Sequence, residues 1–552
     1  MVLQFEESKQ LKKLSQLRAR EEEESARQTA EKLGLPYLDL SAIPITTEAL
    51  KLIPFETARR LGMAAIQRVG SKVQVALKNP HNPQVQAELK RLENERTEPQ
   101  LFLVSSRSLE KAFKMYDEIP KDLSGIIGQI DVSAARLESF RTEIVSLEML
   151  RQKIGDMGHS TISSLLEVII GGALATEASD VHCEPQESGV RIRYRLDGIL
   201  MDIADISKET YKFLLGRIKL ISELTLNIRE KAQDGRFTIK TPDGEIEVRV
   251  STLPGPYGEN LVMRILNPTA IGLSLSDLGL QPWMEKQIEA ELKKPNGMII
   301  TTGPTGSGKT TSLYAFLKKV HQPGVKIITL EDPIEYHLPG VEQTQVEAQK
   351  GYDFASGLRA ILRQDPDVIL VGEIRDRETA ETAMHASLTG HLVFSTLHTN
   401  NAAGTIPRLI DMEVKPNIIA PAINVAMAQR LVRRLCNDCK KVEPATAAEL
   451  AVIKKDLETL PTNIEKQNMA ELKIAHPAGC QECHGTGYKG RIGVYELILI
   501  DDEMERLIAK QPSEADVKAA ASEQGQITMR QDGILKVIAG VTDLAELERV
   551  VG

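Results

Sequence analysis

Aromatic residues are scarce in this 552-residue chain: Phe, Tyr and Trp make up 4% of it, with a single tryptophan. Proteins that hold single-stranded nucleic acid stack bases on such rings, so a stacking surface is not expected. Long tracts of lysine or arginine are also missing, and the formal net charge is -9. A general nucleic-acid binder needs a basic footprint, so no direct nucleic-acid partner is expected. No apolar run approaches the roughly 18 residues that span a bilayer. The opening MVLQFEESKQLKK lacks the apolar core of a secretion signal, and a cytoplasmic location is the expectation. Cysteine is rare too, with 5 in all. In a reducing compartment these are not expected to form disulfides, and four of them fall into two CxxC pairs, a pattern that favours metal.

What the chain does contain is ordinary for a globular protein, 42% hydrophobic and 26% charged residues, in a length that calls for several cores. Residues 1–30 are charged, with Leu11, Leu14 and Leu17 at every third position before REEEES. They read as a helix with a thin apolar stripe, either solvated on its own domain or docking a partner. Residues 31–117 read as a small α/β unit with a strand over Leu35–Leu40, a helix over Thr47–Leu61 and a strand over Lys72–Leu77. Residues 118–155 read as a linker with some helix. A second mixed unit, 156–270, opens with a helix over Ser160–Thr176 and continues in strands turned at Asp197-Gly198 and Asp243-Gly244. Its arginines, Arg191, Arg193, Arg195, Arg236, Arg249 and Arg264, are either surface residues or an anion site, since the guanidinium fork suits phosphate oxygens. Cys183 reads as a core residue. From 271 onward, GMIITT, VKIITL, DVILVGE and HLVFSTL alternate with helical stretches, the texture of a parallel sheet covered by helices.

The chemistry lies in that last region. Gly303, Pro304, Thr305, Gly306, Ser307, Gly308, Lys309 and Thr310 fit GxxxxGK[ST] between the strand Met298–Thr302 and a helix from Thr311 to Val320. Glycines let backbone N–H groups approach phosphate oxygens, and the helix N-terminus adds positive dipole. Lys309 is placed on the β/γ-phosphates and the Thr310 hydroxyl on Mg²⁺, with Thr311 closing the nucleotide-binding set. Two strands end in acids, Asp367–Glu373 and Ile327–Glu331. At the C-terminal edge of a parallel sheet such carboxylates converge on the ligand crevice, so Glu373 and Glu331 are both candidates to hold Mg²⁺ or orient water. His391 and His398 bracket the next strand and read as γ-phosphate sensors.

Cys436 and Cys439 follow a stretch, Arg430–Leu435, that reads as the end of a helix; Cys480 and Cys483 form the second pair. Two such knuckles suit tetrahedral Zn²⁺, with the insertion at about 434–492 closed at its base. A thioredoxin-like redox site is disfavoured because no βαβ context surrounds either pair.

Taken together and in order, the phosphate loop, ITLEDPIE, ILVGEIRD and TGHLVFSTLHTN resemble the secretion ATPases of type II secretion and type IV pilus assembly, over roughly 156–552. The resemblance extends to ASDVH, QDGRF, RVST and AQRLV. It implies an α/β architecture: a RecA-like P-loop NTPase domain at 271–552, a PAS-like domain at 156–270 and a small α/β domain at 31–117. It also implies a homo-hexamer that hydrolyses ATP with Mg²⁺ at the inner face of the cytoplasmic membrane. Its partner there would be an inner-membrane platform protein, and its product a pilus or pseudopilus. Under the resemblance, Arg236, Arg249 and Arg264 are read as neutralising phosphate charge. Retraction motors of the family lack both the cysteine pairs and the extra N-terminal domain, which this chain carries. Motors of retraction, DNA uptake or conjugation, and a nucleotide-binding scaffold without turnover, are the alternatives. Many relatives begin with tandem RLGxxL segments that bind cyclic-di-GMP; residues 1–30 contain none, so that ligand is not expected.

Overall fold

The computed structural model describes residues 22–40, 43, 45–50, 52–69, 71–94, 97–117, 129–131, 134–143, 146–155, 157, 162–241, 244–266, 272–461 and 471–552. The expected leucine stripe at 11–17 and the residue Asp243 lie outside them. The chain divides into two units, Met1–Gly125 and Ile126–Gly552.

The first unit is a three-stranded sheet in the order β1-β2-β3, with β1 (Met63–Val69) antiparallel to β2 (Lys72–Leu77) and β2 parallel to β3 (Glu98–Leu103). Alternation along β2 buries Val73, Val75 and Leu77 against Val85, Leu89 and Leu92 of the crossover helix Pro83–Asn94. The strand expected at 35–40 is reduced to one bridge, Tyr37 to Leu103. The helix expected over 47–61 is two, Thr47–Leu50 and Phe55–Leu61. Pro54 caps the second of these, and a residue before proline is pushed out of the helical region.

The second unit holds two larger sheets. One has the order β4-β8-β9-β10-β5-β6-β7, built from β4 (Gln129–Asp131), β5 (Asp180–Pro185), β6 (Val190–Leu196), β7 (Ile199–Ile206), β8 (Gln233–Thr241), β9 (Gly244–Gly255) and β10 (Gly258–Leu266). Only β4 and β8 pair in parallel. The helices Ile162–Ala175 and Lys208–Ile221 contribute to its core, with Cys183 fully buried beneath them. The segment 134–155 carries two helices, Ala134–Glu143 and Leu147–Gly155, whose Phe140, Leu147, Leu150 and Ile154 enter the same core. Gly171 makes room for this: a Cβ there would stand 2.3 Å from the Phe140 ring.

The other sheet has the order β13-β12-β14-β15-β11-β16-β19. Its strands are β11 (Gly297–Thr302), β12 (Ile327–Glu331), β13 (Glu342–Gln345), β14 (Val368–Val371), β15 (Leu392–Leu397), β16 (Ile423–Leu435) and β19 (Tyr488–Leu499). All neighbours are parallel except β16 and β19. β11, β12, β14 and β15 are buried at every position, as strands covered on both faces must be. A separate hairpin-like pair, β17 (Lys441–Pro444) and β18 (Lys473–His476), lies in the insertion between β16 and β19, with the helix Ala447–Leu457.

One expectation is corrected. Arg430–Leu435 is the outer half of β16, not a helix end. Antiparallel pairing with β19, from Val425↔Leu499 to Leu435↔Tyr488, overrides a composition that helices also tolerate. Among the described residues no helix is long and apolar enough to cross a membrane.

Candidate functional site

The loop after β11 turns back on itself at Gly303 (φ +145°) and Gly308 (φ +88°) before the helix Lys309–Val320 begins. Close approach forces glycine at both ends. A Cβ on Gly303 would sit 2.5 Å from the Gln429 carbonyl oxygen, and one on Gly308 would sit 2.8 Å from Gln429 Nε2. The loop crest of Pro304, Thr305 and Gly306 is exposed, as is Thr310, while Ser307 is buried with no partner for its Oγ among the described residues. Lys309 Nζ donates to the carbonyls of Gly303 (2.7 Å) and Pro304 (3.0 Å). Burial lowers the Lys309 pKa, opposed by the charge of Glu373. The free N–H groups of the first helical turn point out of this loop, with Thr310 and Thr311 in that turn.

Of the two acids, Glu373 faces this lysine. It follows β14, and its Oε1 pairs with Arg375 Nη2 at 2.5 Å while Oε2 stands 3.4 Å from Nε2 of His398. Arg375 is raised in pKa chiefly by its hydrogen bond to Glu373, with Asp332 adding to the effect. Glu331, by contrast, is 3% exposed and saturated. It accepts from Tyr314 Oη (2.5 Å), Thr329 Oγ1 (2.6 Å) and Gln343 Nε2 (3.2 Å). Burial and the adjoining carboxylate push the Tyr314 hydroxyl well above its ordinary pKa. Three donors already occupy its two oxygens, tying Glu331 to the helix after the phosphate loop, to its own strand and to the edge strand β13.

The two histidines part company. His398 follows β15 on the phosphate-loop side, where Thr302 Oγ1 and Thr399 Oγ1 lie 2.6 Å apart. His391 precedes β15, level with Gly297 at the start of β11, and its Nδ1 lies 2.9 Å from the carbonyl of Ala386. An extended strand rises about 3.3 Å per residue, which puts roughly 20 Å between the histidines. His391 thus stands at the opposite end of β15 from the phosphate loop of its own chain.

The three arginines form one row. Arg236, Arg249 and Arg264 are directly opposite one another across β8, β9 and β10. Arg264 Nε binds Asp180 Oδ1 at 3.0 Å, and Arg236 is 77% exposed with Glu247 at 3.7 Å. Arg249 crosses to the other sheet: Nη1 binds Glu335 Oε2 at 3.0 Å and Nη2 donates to the Ile334 carbonyl at 2.5 Å. That loop is the one Glu331 anchors.

The cysteines meet because of strand pairing. Cys436 follows the last residue of β16, and Cys480 and Cys483 lie just before β19; the final antiparallel pair, Leu435↔Tyr488, brings the two knuckles together. Cys436 Sγ is 3.8 Å from Cys480 Sγ, Cys439 Sγ is 3.8 Å from Cys483 Sγ, and all four sulfurs lie within 4.8 Å of one another. A regular tetrahedron of sulfurs about 2.3 Å from a central ion has edges of about 3.8 Å, so the four fit Zn²⁺. The backbone N–H groups of Cys480 (3.1 Å) and Gly487 (3.2 Å) both point at Cys483 Sγ, the arrangement that supports a thiolate.

Residues 156–549 match the Type II/IV secretion system protein family, and residues 33–122 match the MshEN domain. The chain belongs to the type II/IV secretion system protein family. As a member it is an ATPase. Type II secretion system protein E of Pseudomonas aeruginosa is 45% identical over 70% of this chain and 75% of its own. The Klebsiella pneumoniae protein of the same name is 40% identical over 84% and 87%. The type IV pilus assembly ATPase PilB of Myxococcus xanthus is 35% identical over 93% of this chain and 88% of its own. Among solved structures, the Legionella pneumophila ATPase DotB superimposes with a TM-score of 0.50 at 21% identity, covering 70% of this chain and 95% of that one, a likeness of fold.

Within this family site, three side chains went unnoticed in the sequence. Tyr314 stands four positions after Thr310 on the buried face of its helix. Arg375 lies two residues past Glu373 in ILVGEIRD. Gln343 comes from the edge strand β13. Only Arg375 carried a local signal, an arginine beside a strand-end acid.

Proposed function

We propose that the chain hydrolyses ATP to drive assembly of a type IV pilus or type II secretion pseudopilus, acting as a homo-hexamer on an inner-membrane platform protein at the cytoplasmic face. The observation that carries the ATP site is the meeting of Lys309, Glu373 and His398 at the C-terminal edge of a parallel sheet. The loop residues Gly303 to Lys309, with Thr310 and Thr311, are assigned to the nucleotide, and the Thr310 hydroxyl to Mg²⁺. Glu373 orients the attacking water or holds Mg²⁺, and His398 reads the terminal phosphate through Glu373. Arg249, with Arg236 and Arg264 beside it, supplies positive charge toward the transferred phosphoryl group. Cys436, Cys439, Cys480 and Cys483 hold a structural Zn²⁺. Assembly rather than retraction is favoured by the cysteine quartet and the N-terminal domain. Lys309→Ala tests the ATP site: turnover is lost with folding intact, whereas unchanged turnover overturns the assignment.

A further inference from the structure

The phosphate loop leans on a residue outside every phosphate-binding motif. Gln429 is 2% exposed and stands on β16 one position past the last residue paired with β11, Ala428↔Thr302. Its main-chain oxygen occupies the space a Cβ on Gly303 would need, and its amide nitrogen the space a Cβ on Gly308 would need. Its Oε1 accepts from Ser312 Oγ at 2.7 Å, in the first turn of the helix that the loop opens. Ser312 in turn donates its N–H to the Gly308 carbonyl at 3.0 Å. One residue therefore lies against the start of the loop through its main chain, and against the loop's end and the helix that follows through its side chain. The next residue but one, Leu431, packs its side chain against the same Gly308.

The geometry points to Gln429 as the positioning residue of the phosphate loop, holding the curvature in which its backbone N–H groups converge on the β- and γ-phosphates. It rests on the reading of this loop as the ATP site. Packing alone does not require a carboxamide here: the two residues that precede Gln429 on β16, Met427 and Ala428, are apolar and fully buried. A buried amide is kept where its hydrogen bonds are made, and here the acceptor is spent on a helix that must not shift relative to the loop. Pre-organised donors bind an anion without first being ordered, so loosening them weakens binding before it weakens chemistry.

The experiment uses the full chain with Gln429→Met, which keeps length and volume but makes no hydrogen bond, and Ser312→Ala, which removes the donor from the other side. Losing one buried hydrogen bond at a binding loop is expected to raise KM for ATP and Kd for ADP roughly tenfold in each variant, with kcat falling far less. Lys309→Ala serves as the control: if it leaves ADP affinity intact, the ATP-site reading fails and not the role of Gln429. With that control behaving as expected, a KM and Kd within about twofold of the parent in both variants overturn the proposal, whether or not the melting temperature falls. A loss of kcat with unchanged KM overturns it too, since it places Gln429 in the chemical step. Ser312→Ala deletes a single oxygen and decides the matter if the methionine variant does not fold.

Discussion

Arg433 grips Glu546 through both Nε (3.0 Å) and Nη2 (2.8 Å), and its guanidinium lies 3.7 Å from the centre of the Tyr488 ring. Arg549 binds the same carboxylate from within the helix Leu544–Val551, and Glu546 is 1% exposed. The outer half of β16, the start of β19 and the C-terminal helix are thus held on one buried acid. Asp543 accepts from the Tyr488 hydroxyl at 2.5 Å on the same side.

That acid sets a pH limit. Burial alone would raise its pKa, but the hydrogen bonds from Arg549 and Arg433 outweigh it and hold Glu546 down from 4.5 to about 2. A carboxylate with a depressed folded-state pKa stabilises fully above its unfolded value, and the contribution is lost as pH falls through the folded one. Docking of the C-terminal helix is therefore expected to weaken between about pH 4.5 and pH 2, by up to about 3 kcal/mol for this group. Hydrogen exchange of Leu547 across that window reads it out. Glu546→Gln should flatten the dependence; an unaltered acid limb in that variant would place the sensitivity elsewhere.

The two acids of the ATP site should separate kinetically. Glu373 faces Lys309 and His398, so Glu373→Gln is expected to cost at least a hundredfold in kcat while ADP still binds. Glu331 is held by Tyr314, Thr329 and Gln343. Glu331→Gln leaves a neutral group that still accepts two of the three bonds, so a loss of about tenfold or less is expected. Steady-state turnover of both variants checks this, and equal losses would return Glu331 to the chemistry.

The histidines offer a sharper contrast. His398→Ala removes one of the two partners described for Glu373 and should lower kcat by about ten- to a hundredfold. His391→Ala removes a bond to the Ala386 carbonyl at the far end of β15, so its effect should appear in melting temperature, by a few degrees at most, and not in turnover.

What could be read in the sequence, and what could not, divides along the range of the interaction. The phosphate loop, the strand-end acids and the cysteine pairs are local patterns whose chemistry needs neighbours a few residues away. Arg430–Leu435 reads as a helix end because its partner β19 lies beyond the whole zinc insertion, and alternation along Ile423–Leu435 is blurred by burial on both faces. Glu331 and Glu373 look alike as strand-end acids, and their surroundings differ because Tyr314 and Gln343 reach Glu331 from a helix and an edge strand. His391 and His398 look equivalent in TGHLVFSTLHTN until the strand between them is given its length. The helices at 134–155 join a core through Gly171, a signal invisible without the fold.

Zinc removal tests how far the knuckles matter to the ATP site. The quartet ties the ends of β16 and β19 and roots the insertion carrying β17 and β18. The phosphate loop rests on Gln429, whose strand is already fixed by β11 on one side and Tyr495 of β19 on the other. Chelation, or Cys480→Ser, should therefore release about one zinc per chain and expose residues 434–492 to protease, with ADP affinity changed by less than about threefold. If affinity collapses while the far sheet keeps its hydrogen-exchange protection, the metal is part of the nucleotide site itself. If chelation releases no zinc from the parent protein, the four sulfurs serve another purpose than holding that metal.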